Sequence, residues 1–116
     1  MKPEFDFALY YVKREYPHLF GDHIESIKLI PAKQFQSGAN GLCYYLRDGK
    51  SRIEIRRRIC HVSHLIETIY HELIHAQQWK SRKEMTLQER EDEAYKAGQE
   101  ARAKYMDSVG GIRLGD

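Results

Sequence analysis

Apolar residues near the start of the chain recur at spacings of three and four, so they fall on one face of a helix. The largest members of this face are Phe5, Leu9, Val12 and Tyr16. Proline has no amide hydrogen to donate to the preceding turn, and Pro17 would therefore end the helix. The pattern predicts an amphipathic helix over about 4–16.

The pattern changes to that of β-structure in the next segment. Residues 24–30 are rich in β-branched side chains and are followed by Pro31, which predicts a short strand. Residues 32–41 contain a run of small and polar residues, so we expect a loop there.

A hairpin signal follows this loop. Asp48-Gly49 lies between two β-prone segments, and this dipeptide favours the positive φ angles that a type I′ turn requires. We therefore expect a β-hairpin over about 42–58. In its second strand Ile53 and Ile55 would face the core, while the charged residues between them would face water.

Two helices are predicted in the C-terminal half. Helical spacing of apolar residues continues to Trp79 and predicts a central helix over about 64–80, with Ser63 as its N-cap. Capping-box patterns at Ser81 and at Thr86 place the start of a last helix near 82 or near 87, and its end near 107. A short tail would begin at Gly110. The inner face of the last helix would carry Leu87, Glu91, Ala94, Gly98, Ala101 and Tyr105.

The central helix carries the pattern His-Glu-x-x-His at residues 71–75. Four positions make about one helical turn, so His71 and His75 would lie on one face and could bind one zinc ion. Glu72 lies about 100° further round the helix, where it could take a proton from a water held by that ion. A catalytic zinc usually has three protein ligands, so the pattern requires one more donor.

The last helix offers several acids for this third position. A turn near 81–86 would fold it antiparallel to the central helix, which brings Glu91 opposite the two histidines. Glu91 is also the one acid on the predicted inner face, and we favour it as the ligand. Glu93 becomes the candidate if the helix is rotated about its axis.

These residues resemble the gluzincin metallopeptidases, in which two histidines and a downstream glutamate bind zinc. The resemblance is carried by His71, Glu72 and His75 together with the Glu-x-x-Ala pattern at Glu91. The short order of helix, strand, hairpin, motif helix and glutamate helix is similar to the minimal gluzincins, the minigluzincins. Many gluzincins have Asp four residues after the ligand glutamate, where this chain has Tyr95.

The resemblance implies an α+β, zincin-like minimal domain over 1–116. That domain would contain an N-terminal helix, a small antiparallel sheet with a hairpin, an active-site helix and a C-terminal glutamate helix. It further implies Zn²⁺ held by His71, His75 and Glu91, with Glu72 as the general base of a hydrolase that cleaves a peptide or protein. An edge strand would hold the substrate, and the hairpin around residues 53–55 is the expected provider.

Composition agrees with a single soluble domain. The chain has 116 residues, of which 41% are hydrophobic and 11% aromatic, enough for a compact core. No apolar stretch is long enough for a membrane span, and the acidic start does not resemble a signal peptide. With Cys43 and Cys60 read as free thiols, we expect a cytoplasmic protein that does not bind membranes.

The charge balance argues against nucleic acid as the main partner. A net charge of +2 is too small to create a strong field for phosphates. An arginine strip on the hairpin nevertheless supports an alternative function, a non-catalytic zinc-stabilised adaptor that binds protein or nucleic acid. The strip consists of Arg52, Arg56, Arg57 and Arg58. Substrate specificity and oligomeric state do not follow from the sequence.

Other residues with chemical potential are expected to have structural or surface roles. Cys60, His61 and His64 lack the pair spacing and the fourth ligand of a structural zinc site. His18 and His23 lie in a predicted loop without a partner. No single oxyanion donor stands out among Tyr45, Tyr70, Tyr95 and His64.

Overall fold

The computed structural model describes residues 2–35, 37–58 and 61–110. In these ranges the chain forms an α+β arrangement of three α-helices and a three-stranded mixed sheet. The elements, in chain order, are α1 (Lys2–Glu15), β1 (Ile24–Pro31), β2 (Gly41–Tyr45), β3 (Ser51–Arg57), α2 (Val62–Ser81) and α3 (Leu87–Gly110). Cys60 and the tail beyond residue 110 lie outside the described residues.

The strand order is β1-β3-β2, with β1 parallel and β2 antiparallel to β3. The prediction of a purely antiparallel sheet is therefore wrong. The chain reverses direction twice between β1 and β3, so these two strands run the same way. They become neighbours because the connection from Pro31 to Gly41 is long enough to cross the end of the sheet. Hydrophobic alternation cannot show on which side of a hairpin a third strand pairs.

The centre of the sheet supplies much of the core. Ile53 and Ile55 of β3 have no exposed surface, and they pair with Ile27 and Leu29 of β1. The predicted inward orientation of these two isoleucines is confirmed. Helices α1 and α2 complete the same core through Phe5, Ala8, Val12, Leu65, Ile66, Ile69 and Leu73.

The hairpin turn has the predicted geometry. Asp48 has φ 60° and ψ 30°, and Gly49 has φ 71°, so both central residues have positive φ. The Lys50 amide donates to the Arg47 carbonyl oxygen at 3.2 Å, which closes the turn. This turn fixes the register that pairs Cys43 with Ile53.

Helix α2 begins slightly earlier than predicted. His61 is the last extended residue, and the Leu65 amide donates to its carbonyl oxygen at 3.0 Å. Ser63 consequently lies inside the first turn, where it is buried, and its prediction as the N-cap is wrong.

Helix α3 begins at the second of the two predicted capping boxes. The Glu89 amide donates to Thr86 Oγ1 at 3.1 Å, and the Thr86 amide donates to Glu89 Oε1 at 2.8 Å. The reciprocal pair satisfies amides that have no partner inside the helix, so α3 begins at Leu87 and the alternative start near 82 is wrong.

Small residues allow α3 to pack closely against α2, as predicted. A Cβ atom added to Gly98 would lie 3.0 Å from the Glu67 carbonyl oxygen and 3.5 Å from His71 Cβ. Ala94 and Ala101 are buried on the same face. Leu87 was expected on this face but is 67% exposed, because it is the first residue of the helix and precedes the buried part of the contact.

Candidate metal centre

Three metal-capable side chains meet between α2 and α3. The rings of His71 and His75 lie one turn apart on α2, with centroids 4.9 Å from each other. Glu91 of α3 faces both rings. Its Oε1 is 3.7 Å from His71 Nε2, and its Oε2 is 3.3 Å from His75 Nε2. The structure therefore brings together the three residues that the sequence suggested as ligands.

The spacing of these donors fits a tetrahedral divalent ion. Zinc binds nitrogen and oxygen donors at about 2.1 Å, which places two donors of a tetrahedron about 3.4 Å apart. Each of the three residues offers one donor atom, and these atoms lie within 4.8 Å of one another. Two imidazoles and one carboxylate are also a common donor set for catalytic zinc. Among the described residues, this is the one group of three or more such side chains close enough to share an ion.

The environment favours the neutral imidazole of His71, the form that binds metal. Burial lowers the pKa of His71, and the adjacent His75 lowers it further, while Glu91 acts in the opposite direction. His75 is only 6% exposed. Glu91 is about half exposed, so the cluster is open on the side of α3.

Gln78 orients His75 and was not identified from the sequence. Its Oε1 lies 3.0 Å from His75 Nδ1, and its Nε2 donates to the Arg90 carbonyl oxygen and to Glu93 Oε1. Because both amide donors are directed to acceptors, Oε1 is left to accept from a protonated Nδ1. His75 Nε2 then carries the lone pair that faces Glu91. The sequence could have indicated this role, because a polar residue three positions after His75 lies on the same face of the helix.

Glu93 lies outside the cluster. Its Oε1 accepts the hydrogen bond from Gln78 Nε2 at 2.8 Å, and its Oε2 is 3.8 Å from Lys83 Nζ. The orientation of α3 therefore directs Glu91 toward the histidines and Glu93 toward the amide that orients one of them.

Glu72 lies beside the cluster in a nearly dry environment. It is 7% exposed, and burial raises its pKa to about 8, with a smaller contribution from the charge of Glu91. A cation close by would favour the ionised carboxylate. The backbone of β2 approaches closely here, because a Cβ atom on Gly41 would lie 3.1 Å from Glu72 Oε2. Glycine at this position leaves the carboxyl group its space.

These residues line one cavity of about 450 Å³. Helix α2 forms its floor, β2 forms one wall, and α3 forms the other. We call it the central cavity. The described residues that line it are Ala39, Asn40, Gly41, Leu42, Cys43, Tyr45, Glu67, Thr68, His71, Glu72, His75, Glu91 and Tyr95.

The strand next to the cluster is β2, not β3. Residues 53–55 were expected to form the substrate-holding edge, but β3 is hydrogen-bonded to β1 on one side and to β2 on the other. A central strand has no free backbone groups to offer, so the free edge of the expected hairpin belongs to β2 and not to residues 53–55. Strand β2 pairs with β3 alone in the described sheet, and its residues Gly41, Leu42, Cys43 and Tyr45 line the central cavity.

Of the other tyrosines and histidines considered from the sequence, some line the central cavity and the rest lie elsewhere. Tyr45 and Tyr95 line the central cavity. Tyr70 instead packs against Tyr16, with ring centroids 4.6 Å apart, and His64 is exposed beside His61. His18 is exposed as well. His23 is buried, and neither of its ring nitrogens has a hydrogen-bond partner among the described residues.

Cys43 is a neutral thiol in the cavity wall. Burial raises its pKa to about 12, so the thiolate that would act as a nucleophile or a ligand is scarce near neutral pH. Its free thiol agrees with the prediction from the sequence.

Two arginines of the predicted basic strip are held by contacts within the sheet. Arg52 lies over the ring of Tyr44 at 4.5 Å and is 3.8 Å from Glu54, and Arg56 donates to the Gly38 carbonyl oxygen at 3.0 Å. These contacts give Arg52 and Arg56 structural roles on the hairpin.

Comparison of the chain with models of protein families, with curated proteins and with solved structures finds no match. Within the described ranges, the helices also include none that combines the length and the apolar character needed to cross a bilayer.

Proposed function

We propose that this protein is a zinc-dependent metallopeptidase of zincin-like fold. His71, His75 and Glu91 would hold the ion, and Glu72 would act on the reacting water. The observation that carries the proposal is the convergence of these three donors beside a buried glutamate in a cavity walled by an edge strand. A structural zinc site needs four protein ligands and has no use for such a glutamate.

Each residue has a distinct task in this proposal. When bound, zinc lowers the pKa of water from about 15.7 to about 7 and polarises a carbonyl oxygen. Glu72 accepts a proton from the water whose oxygen attacks the carbonyl carbon, and returns that proton to the amine nitrogen as the C–N bond breaks. Gln78 keeps the proton of His75 on Nδ1, so that Nε2 remains a metal ligand.

The free side of β2 would hold the peptide. An extended substrate can add to this edge through backbone hydrogen bonds, which provide affinity without a demand on side-chain identity. Gly41 and Cys43 would then lie opposite the peptide bond nearest to Glu72, because both are close to that carboxyl group.

The test measures zinc binding and peptide cleavage separately. Zinc content is measured by native mass spectrometry, and cleavage of a diverse peptide mixture is followed by liquid chromatography and mass spectrometry. Glu72→Gln should retain one zinc and the native circular dichroism spectrum, yet lose turnover by about 10²–10⁴-fold. Unchanged turnover would contradict the proposal.

A matched pair of variants on α3 tests the third ligand. Glu91→Gln should weaken zinc binding, whereas Glu93→Gln keeps an acceptor for Gln78 and should leave the zinc content unchanged. Wild-type protein that binds zinc but cleaves nothing, with Glu72→Gln indistinguishable from it, would favour the zinc-stabilised adaptor. Binding of DNA or RNA that weakens with salt and survives Glu72→Gln would support the same alternative.

A further inference from the structure

A second cavity of about 300 Å³ adjoins the central cavity, and its charged residues are all basic. We call it the basic pocket. It lies where the end of α2 turns into α3, beside the last residue of β2. The described residues that line it are Tyr45, Gln78, Trp79, Arg82, Lys83 and Arg90.

The two cavities are neighbours along the proposed path of the substrate. Tyr45 lines both of them. Gln78 connects them as well, since it lines the basic pocket and contacts His75, which lines the central cavity. A peptide extended along β2 toward Tyr45 would therefore pass from the metal cluster to the mouth of the basic pocket.

The positive charge of the pocket is only partly balanced. Among the described residues, neither Arg82 nor Arg90 has an ion-pair partner, and Lys83 has a 3.8 Å contact with Glu93. Both side chains of this ion pair are exposed, so it contributes little to stability. A carboxylate of a bound peptide can therefore replace Glu93 as the partner of Lys83. Guanidinium groups match the fork of a carboxylate, which makes this set suited to bind one.

Side-chain contacts join two walls of the pocket. Trp79 stacks on Tyr45 with ring centroids 5.0 Å apart, and its indole nitrogen donates to the Leu46 carbonyl oxygen at 2.9 Å. The stack ties the end of α2 to the hairpin. Arg82 adopts a left-handed backbone conformation with φ 53°, which is uncommon for a residue other than glycine. The Arg82 amide donates to the Trp79 carbonyl oxygen at 3.3 Å, which closes the turn that presents Arg82.

We infer that the basic pocket is a specificity site that binds a carboxylate of the peptide substrate. The inference rests on the proposed peptidase function and names the class of substrate, peptides that carry an acidic group near the cleaved bond. Gly41 and Cys43, which lie near Glu72, are four and two positions from Tyr45. In a paired strand the acidic group would therefore be about two to four residues from the cleaved bond.

The test measures binding of peptides to zinc-loaded Glu72→Gln protein, in which turnover is removed. The probes are acetylated and amidated alanine hexapeptides that carry one Glu, Gln or Lys, moved through the six positions. A separate arm compares all-alanine hexapeptides with a free or an amidated C-terminus, which distinguishes a side-chain carboxylate from a terminal one. Trp79 is the one tryptophan of the chain and lies in the pocket wall, so its fluorescence reports occupancy directly.

We expect the best Glu peptide, or the free C-terminus, to bind about tenfold more tightly than its neutral counterpart in dilute salt. Arg82→Gln with Arg90→Gln removes the two pocket cations that have no ion-pair partner among the described residues and should abolish this preference, and Arg82→Glu with Arg90→Glu should reverse it in favour of the Lys peptide. Lys80→Gln removes one positive charge just outside the pocket lining and should keep the preference. Equal binding of Glu and Gln peptides, a preference that survives the double Gln variant, or no binding of any peptide would overturn the inference.

Cleavage distinguishes failure of this inference from failure of the proposed function. Zinc-dependent cleavage by the wild-type protein without any preference for acidic peptides would reject the specificity site and leave the peptidase. A carboxylate preference in binding, without cleavage by the wild-type protein, would leave the basic pocket as a binding site and reject the peptidase.

Discussion

His75 and Gln78 are joined across one turn of α2 by a 3.0 Å hydrogen bond between Nδ1 and Oε1. Gln78 is 5% exposed, and its amide nitrogen is held by α3 through Glu93 and the Arg90 carbonyl oxygen. The orientation of one candidate ligand therefore depends on the packing of the two helices against each other.

Replacement of Gln78 by Leu should weaken zinc binding about 10–100-fold, because it removes the acceptor that keeps the proton of His75 on Nδ1. Affinity is measured by competition with a chelating dye. The tautomer of His75 in the metal-free protein is measured separately by nitrogen-15 NMR, which a purely structural defect would not shift selectively.

Gln77→Leu is the control on the same helix, since Gln77 Oε1 has no hydrogen-bond partner in the described part of the chain. Gln78→Glu supplies a carboxylate acceptor for Nδ1, but its second oxygen would face the Arg90 carbonyl oxygen and Glu93, so it should restore only part of the affinity. Equal zinc affinity in Gln78→Leu and Gln77→Leu would show that the hydrogen bond does not matter for binding.

Alanine at position 41 should disturb Glu72 directly. The new methyl carbon would lie 2.9 Å from Thr68 Cγ2 and 3.1 Å from Glu72 Cγ, so a side chain of α2 or the strand must move. We expect a loss of about 1–3 kcal/mol in the free energy of unfolding, measured by urea titration, and a loss of turnover with zinc retained.

Gly38→Ala is the matched control, because a Cβ atom at Gly38 would have no neighbour within 4 Å. Comparison of the two variants distinguishes an effect of close packing at position 41 from a general effect of adding a side chain to this segment. If Gly41→Ala were as stable and as active as Gly38→Ala, the close approach of β2 to Glu72 would have no consequence.

The capping box of α3 should contribute measurably to stability. Thr86→Ala removes the oxygen that accepts from the Glu89 amide and should cost about 1 kcal/mol in the free energy of unfolding. Thr86→Ser keeps this oxygen and should lie close to the wild type. Identical urea midpoints for the two variants would show that α3 is held by packing alone.

Cys43 should react slowly with alkylating reagents at moderate pH. Burial raises the pKa of its thiol from 9 to about 12, which lowers the thiolate fraction at pH 8 by about a thousandfold. The rate of iodoacetamide labelling, measured by mass spectrometry in a Cys60→Ser background, should rise with pH and show no plateau up to pH 11.

The same shift has a consequence for stability. Between pH 9 and 12 the folded protein keeps a proton on Cys43 that the unfolded chain has released, so the contribution of Cys43 to the free energy of unfolding falls as pH rises. The difference between wild type and Cys43→Ala should shrink across this range. Labelling of folded protein at pH 8 as fast as of the urea-unfolded chain would contradict the raised pKa.

Local patterns in the sequence were sufficient for most of the elements. Helical spacing predicted the three α-helices, and Asp48-Gly49 predicted the turn of the hairpin, because both signals depend on interactions between residues near each other in the chain. The start of α3 required a choice between two capping boxes that the sequence left open. The cap of α2 was predicted wrongly, since the extended backbone continues to His61.

The sequence by itself determined that His71, Glu72 and His75 share one turn of helix and that Glu91 follows on another, since helical periodicity is a local property. Tertiary structure alone decided that β1 crosses to pair with β3, that β2 therefore forms the edge beside the cluster, and that Gln78 orients His75 while α3 holds its amide nitrogen. These relationships depend on the rotation and distance between packed elements, and many such arrangements satisfy the same hydrophobic pattern.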